Sequence, residues 1–329
     1  MNCGVLDVID AEAGGDVGRV VLSGLEAIPG ASVADRAHYL REVHDDLRLA
    51  FMRAPHGDRS HSINLLVPAT LGSEANFGLI IMGTMGYPGF SGSNVMCTVA
   101  ALNLSGQLPA TRQKHTVRLE TPVGTTPLEV SRAPGQPITV EYAAPAGRVL
   151  SQGLSAPLGQ RGAMDYDLVD SGVPYVVVDA DTAALDPRAA TPERLSRLFD
   201  PLLDHASNRR YKESDSSQPV TLGLLTEPVS DFSAARGDRT VDVNVAVYMA
   251  GGVMCSGPTG TGTTALVTWL HARRPIGAGD SIRAVSPTGN TFGATLLQTS
   301  RSSKGAALVH TKITGSPTVL GRHCVNISQ

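Results

Sequence analysis

Two short turns in this sequence carry the residue types that could do chemistry on a small carboxylic acid. Residues 91–94 read Ser-Gly-Ser-Asn, and residues 259–262, about half a chain later, read Thr-Gly-Thr-Gly. Each turn runs into an apolar segment, VMCTVAALNLSG in the first case and TTALVTWLHARR in the second. A helix N-terminus presents free backbone N–H groups and the positive end of the helix dipole, so each turn is predicted to bind a carboxylate.

Because the turns occur as a pair, we predict a single site to which each half of the chain contributes one turn. If Ser91 and Thr259 face opposite sides of one α-carbon, a proton can leave on one side and arrive on the other. Ser and Thr are also common helix N-cap residues, and either turn alone is more typical of a cap than of a catalyst. Their occurrence in matching positions before two apolar helices favours function.

The segments around the turns indicate an α/β fold with few helices. Short β-branched runs alternate with turn residues, and helices are predicted for residues 34–52, after Asn94, for residues 192–206 and after Gly262. The helices after the two turns are apolar almost all round, which is typical of buried helices. Each half is therefore predicted to wrap a strongly bent, mostly antiparallel sheet around one central helix.

Composition and charge exclude several classes of protein. The 329 residues are 42% apolar and 17% charged with a net charge of −3, a globular balance that gives no reason to expect a nucleic-acid partner. No run approaches the roughly 18 apolar residues of a membrane span. The cysteines are few and scattered, which favours a reducing cytoplasm over a disulfide framework; they are Cys3, Cys97, Cys255 and Cys324.

Two other sequence patterns are weaker evidence for a binding site. Residues 260–265 fit a dinucleotide-binding glycine pattern, but no acidic residue ends a strand about 20 residues later. His56, Asp58 and His61 have a spacing that suits no standard metal site, so a polar loop is the favoured interpretation.

Several motifs along the chain resemble those of one family, the proline racemase superfamily. The resemblance covers the opening VIDAEAGGDVGRVV, the DDLR of residues 45–48, the APHGDRSH of residues 54–61 and Gly86-Tyr87. It continues in residues 90–94, which are similar to the family's MCGHN-type motif, in VDSGVPYVVVDA, and in the tail TKITG. The most specific match is residues 255–263, Cys-Ser-Gly-Pro-Thr-Gly-Thr-Gly-Thr, which resemble the family's DRSPCGTGT motif.

The resemblance implies a fold like that of diaminopimelate epimerase, with two pseudo-symmetric lobes and an active site in the cleft between them. The C-terminal strands would return to the first lobe, so that lobe comprises residues 1–135 and 298–329, and the second lobe residues 136–297. The family uses no cofactor. Two residues at the turns, ordinarily cysteines, act as acid and base, and backbone N–H groups after each one hold the substrate carboxylate.

The chain departs from the family at the chemical positions. The resemblance places Ser91 and Thr259 where the family has its two cysteines, Ser93 where it has a histidine, and Cys255 where an aspartate meets the substrate nitrogen. Glu12 stands for the histidine of the opening motif. An alcohol is a poor base near neutral pH, whereas a thiol titrates near 8.5.

These departures favour dehydration over epimerisation. Threonine at the second position is the pattern of the family's trans-3-hydroxyproline dehydratases, which remove an α-proton and lose a β-hydroxyl without reprotonation on the other face. Those enzymes usually keep a cysteine at the first position, which is Ser91 here. Cys255 is either an acidified thiol that acts as the base or a small filler beside Met254.

The sequence therefore predicts a cofactor-independent dehydratase of 3-hydroxy-L-proline. The alternatives are a hydroxyproline 2-epimerase or proline racemase, and an inactive amino-acid-binding relative. The expected partner is proline or a hydroxyproline, with no nucleic acid, membrane or metal, and the oligomeric state is open between monomer and homodimer. The predicted catalytic residues are Ser91, Thr259 and Cys255, and the predicted substrate-binding residues are Gly92, Ser93, Asn94, Gly260 and Thr261.

Overall fold

The computed structural model of the chain describes residues 5–58, 61–84, 86–109, 114–133, 135–158, 162–209, 219–228, 240–273 and 276–327. By their internal contacts the residues form two compact units. One unit comprises Met1–Tyr142 and Gly315–Gln329, and the other comprises Ala143–Thr314.

The first unit is a mostly antiparallel sheet that carries three helices. Its strands are β1 (Val5–Ala13), β2 (Asp16–Ser23), β3 (Ser62–Val67), β4 (Phe77–Met82), β5 (His115–Thr121), β6 (Gly124–Arg132), β7 (Ile138–Ala143) and β17 (Thr318–Asn326). Its helices are α1 (Val33–Val43), α2 (Asp45–Phe51) and α3 (Gly92–Leu104). The strands pair in the order β17-β1-β2-β3-β4-β5-β6-β7, with β2/β3 and β4/β5 parallel and the other pairs antiparallel.

The second unit is built in the same way. Its strands are β8 (Arg148–Pro157), β9 (Ala163–Asp170), β10 (Pro174–Asp179), β11 (Leu222–Thr226), β12 (Thr240–Met249), β13 (Val253–Met254), β14 (Ser281–Val285), β15 (Thr291–Arg301) and β16 (Ala307–Gly315). Its helices are α4 (Ala180–Ala183), α5 (Pro192–Asn208) and α6 (Gly260–Arg273), with a 3₁₀ turn at Pro187–Ala189. The order is β8-β9-β10-β11-β12-β14-β15-β16, with β10/β11 and β12/β14 parallel, the other pairs antiparallel, and β13 paired to β12.

The two units therefore repeat one topology, strand for strand. In each unit the third and fourth strands of the order form a parallel pair, and the chain between them includes two α-helices. The chain between the strands of the next parallel pair includes the helix that follows a glycine turn. The predicted fold class, two pseudo-symmetric α/β lobes with mostly antiparallel sheets, is confirmed. The first boundary lies after residue 142, because β7 pairs with β6 of the first unit. The second boundary lies after residue 314, because β15 pairs with both β14 and β16 of the second unit.

The helix that follows each turn is the central helix of its unit, as predicted. In α3 every residue from Gly92 to Leu102 is buried, and the helix lies against β1, β2 and β17. In α6 every residue from Gly262 to Leu270 is buried, and the helix lies against β8, β9 and β15. Both helices begin three residues earlier than the sequence predicts, so the turn glycines lie inside the first helical turn.

The prediction of one helix over residues 34–52 is wrong in one respect, because the segment forms two helices, α1 and α2. His44 leaves the helical region with φ −136° and ψ 44°. Its N–H closes α1 on the Leu40 carbonyl at 3.0 Å, and its own carbonyl accepts from Leu47 in α2. Asp45 at the start of α2 suits a helix N-terminus and pairs with Arg48 at 2.7 Å. The predicted helix over residues 192–206 is confirmed as α5.

Candidate functional site

The first turn holds Ser91 as the N-cap of α3 without using its side chain as a cap. Ser91 is extended, with φ −150° and ψ 123°, and its carbonyl accepts from the Val95 N–H at 3.0 Å. Its hydroxyl makes no capping hydrogen bond. Instead, Asn94 Nδ2 donates to Ser91 Oγ at 2.9 Å, and Ser93 Oγ lies 3.2 Å from Ser91 Oγ. The N–H groups of the first turn have no acceptor within the helix, so they remain available to a carboxylate.

A buried amide pair fixes the position of Asn94. Asn64 Nδ2, on β3, donates to Asn94 Oδ1 at 2.9 Å, and both side chains are buried. Gly18 on β2 leaves the space for this pair, since a Cβ there would lie 2.6 Å from Asn64 Nδ2. The amide that donates to Ser91 is therefore held from the sheet side of α3.

Glycine at position 92 is required by a tyrosine. A Cβ on Gly92 would overlap the hydroxyl oxygen of Tyr142 on β7. Tyr142 is buried and packs edge-on against Phe90, with ring centroids 5.5 Å apart. The close approach of α3 to this ring explains the glycine in structural terms.

A carboxyl group that the sequence analysis did not select lies beside the first turn. Asp16 opens β2, the strand that packs against α3. Burial raises the pKa of Asp16 above its ordinary value of 3.8, the Ser93 hydroxyl lowers it, and nearby Glu12 raises it. Cys97, one helical turn beyond Ser93, is buried, and its Sγ donates to the Ala11 carbonyl at 3.4 Å. Burial raises the pKa of that thiol, so Cys97 belongs to the core.

The second turn places Thr259 in an uncommon backbone conformation. Its φ is +53°, a region that β-branched residues rarely occupy. Thr259 Oγ1 accepts from the Gly262 N–H at 2.9 Å, and the Thr259 carbonyl accepts from the Thr263 N–H at 3.0 Å. The side chain thus caps α6, and this capping bond supports the strained backbone. The N–H groups of Gly260 and Thr261 lie in the first turn of α6, where a helix offers them no acceptor of its own.

A buried tyrosine joins the two threonines of the second turn. The hydroxyl of Tyr175, on β10, lies 3.2 Å from Thr259 Oγ1 and 2.8 Å from Thr261 Oγ1. Tyr175 is only 1% exposed. The second turn therefore carries a cluster of three hydroxyl groups.

Cys255 lies in the loop between β13 and α6. Its N–H donates to the Val247 carbonyl at 2.9 Å, and the residue is partly buried. The next carbonyl, of Ser256, accepts hydrogen bonds from Ser286, Thr288 and Asn290. The loop that carries Cys255, four residues before Thr259, is therefore held on the sheet.

The structure brings together the predicted residues of each turn and adds two that the sequence analysis missed. Ser91, Ser93 and Asn94 share one hydrogen-bonded cluster. Asp16 and Tyr175 were missed because their contacts with the turns are long-range. A signal existed for each: Asp16 directly follows the Gly14-Gly15 turn, and Tyr175 carries the one hydroxyl in the run YVVV.

The described ranges contain neither a metal-ligand cluster nor a helix that could span a membrane. Within them, no group of three or more His, Cys, Asp or Glu side chains could hold a metal ion. His56, Asp58 and His61 are described, but the two residues between Asp58 and His61 lie outside the described residues. No helix among the described residues is both long enough and apolar enough to cross a bilayer.

Comparison with known proteins agrees with this arrangement. The family model for proline racemase matches residues 8–329. A protein of Chromohalobacter salexigens is 31% identical over 291 residues, which cover 87% of this chain and 79% of that protein. A 4-hydroxyproline 2-epimerase of Allorhizobium ampelinum is 28% identical over 325 residues, which cover 98% of this chain and 91% of that enzyme.

A solved structure is similar over nearly the whole chain. It is a hydroxyproline epimerase from Agrobacterium vitis with bound trans-4-hydroxy-L-proline, and it matches with a TM-score of 0.80 and 26% identity. The match covers 99% of this chain and 93% of that one. From the repeated topology, the two glycine turns and these matches, we conclude that the chain belongs to the proline racemase family.

Proposed function

We propose that this member of the family dehydrates 3-hydroxy-L-proline to a pyrroline-2-carboxylate without a cofactor. The family consists of enzymes, and the relatives of this chain that have a named activity are epimerases and racemases. Epimerisation and dehydration share their first step, which is removal of the α-proton from a cyclic amino acid. They differ in what happens on the opposite face of the ring.

The observation that carries the proposal is the chemistry of the second turn. Thr259, Thr261 and Tyr175 offer hydroxyl groups there, linked at 2.8 and 3.2 Å. Hydroxyl groups of this kind titrate at or above about 10, so they serve poorly as bases near neutral pH. They are good hydrogen-bond donors, and a donor is what a departing hydroxide needs.

The reaction follows from these roles. The N–H groups around Gly92-Ser93 and Gly260-Thr261 hold the substrate carboxylate, which lets it accept charge from the α-carbon. The α-proton passes to the Ser91 side, and its electron pair forms the Cα–Cβ double bond. The 3-hydroxyl leaves with a proton supplied from Thr259, so that water is released and the ring is left as an enamine. The enamine becomes the imine of the pyrroline by moving one proton.

Epimerisation of a hydroxyproline at C2 is the second candidate. The similarity to a 4-hydroxyproline 2-epimerase and to a structure with bound trans-4-hydroxy-L-proline favours it. In this case the hydroxyl cluster of the second turn would have to reprotonate the α-carbon, with Tyr175 as the proton source behind Thr259.

Product analysis distinguishes these functions. The purified protein is incubated with the trans and cis isomers of 3-hydroxy-L-proline and with trans-4-hydroxy-L-proline, and products are resolved by NMR and chiral chromatography. We expect pyrroline-2-carboxylate from a 3-hydroxy isomer and no epimer from the 4-hydroxy substrate. Epimers without pyrroline would replace the proposal by the second candidate, and an unchanged substrate in every sample would support an inactive binding protein.

Cys255 is assigned a contact with the ring nitrogen, at the position where the family has an aspartate. Serine at this position keeps a small polar side chain but removes the thiol. We expect Cys255→Ser to raise KM several-fold and to leave kcat within about threefold, because binding is weakened while proton removal is not. A loss of kcat with unchanged KM would make the thiol the base instead.

A further inference from the structure

The turn that precedes α6 keeps a threonine in a backbone conformation that disfavours threonine. Thr259 has φ +53°, in the left-handed region that glycine adopts far more readily than a β-branched residue does. Its carbonyl accepts two hydrogen bonds from Thr263, one from the N–H at 3.0 Å and one from Oγ1 at 2.7 Å. Gly262 leaves room for the side chain, since a Cβ there would lie 2.8 Å from Thr259 Oγ1. A strained residue that its surroundings hold in place is a candidate for a role in function.

The hydrogen bonds around Thr259 Oγ1 favour one direction of proton donation. The Gly262 N–H donates to this oxygen at 2.9 Å and occupies one of its lone pairs. The Tyr175 hydroxyl lies 3.2 Å from the same oxygen. When that hydroxyl donates as well, both lone pairs are used, and the Thr259 hydroxyl can only donate its own proton. Donation to a departing hydroxyl is the role that the proposed function gives to Thr259.

Tyr175 carries the most acidic hydroxyl of this cluster. A phenol ordinarily loses its proton at about pH 10, whereas an aliphatic alcohol loses it only at much higher pH. The Tyr175 oxygen also lies 2.8 Å from Thr261 Oγ1, whose hydroxyl can donate to it as negative charge develops. Tyr175 is buried and Thr259 is partly exposed, so a proton from the phenol reaches a substrate through Thr259.

The corresponding contact in the first turn is of another kind. Asn94 Nδ2 donates to Ser91 Oγ at 2.9 Å, and an amide donates a hydrogen bond without giving up its proton near neutral pH. In the second unit the N-terminal hydroxyl of Thr259 meets a phenol instead. The phenol can supply a proton to its neighbour, whereas the amide can only position it.

We infer that Tyr175 supplies, through Thr259, the proton that the departing 3-hydroxyl needs. This inference rests on the proposed function. The electron pair of the Cα–H bond forms the Cα–Cβ double bond, and the pair of the C–O bond stays with the oxygen, which takes the Thr259 proton and leaves as water. The Tyr175 proton moves to Thr259 Oγ1, and the Thr261 hydroxyl stabilises the resulting phenolate. The enzyme thus gains one proton on the Ser91 side and loses one at Tyr175, and exchange with water restores both.

Removal of the phenol hydroxyl tests this assignment in the whole chain. Tyr175→Phe keeps the ring, and we expect kcat for dehydration of 3-hydroxy-L-proline to fall at least about 10-fold with KM within about threefold of wild type. Tyr166→Phe is the matched control. Tyr166 is a buried tyrosine on the neighbouring strand β9, and its hydroxyl lies 2.9 Å from His205 Nδ1, so this variant should keep wild-type kcat.

A leaving group that needs no proton separates proton supply from a structural effect. A 3-fluoro-L-proline with the configuration of the hydroxy substrate loses fluoride, which departs as the anion and is followed with a fluoride electrode. We expect Tyr175→Phe to release fluoride within about threefold of the wild-type rate, because general-acid assistance is not required. A merely structural role for Tyr175 would slow both substrates alike.

Thr261 offers a second test that leaves the tyrosine in place. Thr261→Val removes the hydroxyl that lies 2.8 Å from the Tyr175 oxygen, whereas Thr261→Ser retains a hydroxyl there. We expect dehydration to slow several-fold in Thr261→Val, because the phenolate loses its hydrogen-bond donor, and to recover in Thr261→Ser.

The outcomes are distinct. A wild type that forms pyrroline-2-carboxylate and a Tyr175→Phe variant that is slowed on the hydroxy substrate alone support the inference. If the wild type forms pyrroline and Tyr175→Phe keeps more than about a tenth of its kcat, or is slowed equally on both substrates, the inference is overturned while the proposed function stands. If Tyr175→Phe does not fold, an unchanged kcat in Thr261→Val overturns it. A wild type that forms no pyrroline overturns both.

Discussion

At the residue scale, each of the two turns begins with a hydroxyl group, Ser91 or Thr259, and the neighbours of these hydroxyl groups differ. Ser91 Oγ accepts from the Asn94 amide and lies 3.2 Å from the Ser93 hydroxyl, whereas Thr259 Oγ1 lies 3.2 Å from the phenol of Tyr175. A serine hydroxyl on its own is a weak base near neutral pH.

A cysteine at position 259 should convert the second turn into a second acid and base. A thiol titrates near 8.5 and can both give and take a proton near neutral pH. We expect Thr259→Cys to gain 2-epimerase activity on trans-4-hydroxy-L-proline, measured by chiral chromatography. The matched control is Thr268→Cys, a buried threonine farther along α6, which should show no gain. Equal gain in both variants would contradict a role for position 259.

The pKa shift of Asp16 also predicts how stability depends on pH. Because its folded-state pKa is raised, the folded protein binds this proton more tightly than the unfolded chain does. The resulting stability is fully present below the ordinary value of 3.8 and is lost as pH rises through the folded-state pKa. Asp16→Asn should therefore unfold at higher urea than wild type near pH 8, with a smaller difference near pH 4. A larger difference near pH 4 would contradict the shift.

At the element scale, α3 is held so closely by its unit that its first residue must be glycine. The Ser91 hydroxyl is positioned by the N-terminus of this helix, and the Tyr142 hydroxyl occupies the space that a Cβ at position 92 would need. The identity of the turn residues is thus explained by packing as much as by chemistry.

A paired substitution tests this packing. Gly92→Ala should lower the free energy of unfolding by about 1–3 kcal/mol, a typical range for overpacking. Tyr142→Phe removes the oxygen in contact, and the double variant Gly92→Ala/Tyr142→Phe should regain part of the loss in urea unfolding. Tyr142→Phe alone is the control for losing the hydroxyl. Strictly additive effects in the double variant would contradict the contact.

Much of the secondary structure could be predicted from the sequence because its signals are local. The two central helices follow from apolar runs after glycine turns, and α5 follows from its spacing of apolar residues. The break at His44 was not predicted, although the acidic Asp45 beside it suits the start of a new helix. Asp16 and Tyr175 could not be assigned either, because the contacts of β2 and β10 with the turns depend on tertiary packing.

At the scale of the whole molecule, one topology occurs twice and its equivalent positions have diverged. The pairing order of eight strands is the same in the two units, yet the group that contacts the turn hydroxyls is the Asn94 amide in one and the Tyr175 phenol in the other. A repeat with two equal acid–base residues suits inversion at a carbon atom. A repeat whose second turn offers hydroxyl donors suits elimination, which is why we propose dehydration.

The most direct test of this account is the fate of the substrate α-proton in D₂O, followed by ¹H NMR. Wild type and Ser91→Ala are each incubated with 3-hydroxy-L-proline, trans-4-hydroxy-L-proline and L-proline. We predict that wild type removes the α-proton signal of 3-hydroxy-L-proline and that Ser91→Ala does so at least about 100-fold more slowly. An α-proton signal that persists in all three substrates with wild type, or that disappears equally fast with Ser91→Ala, would contradict the account.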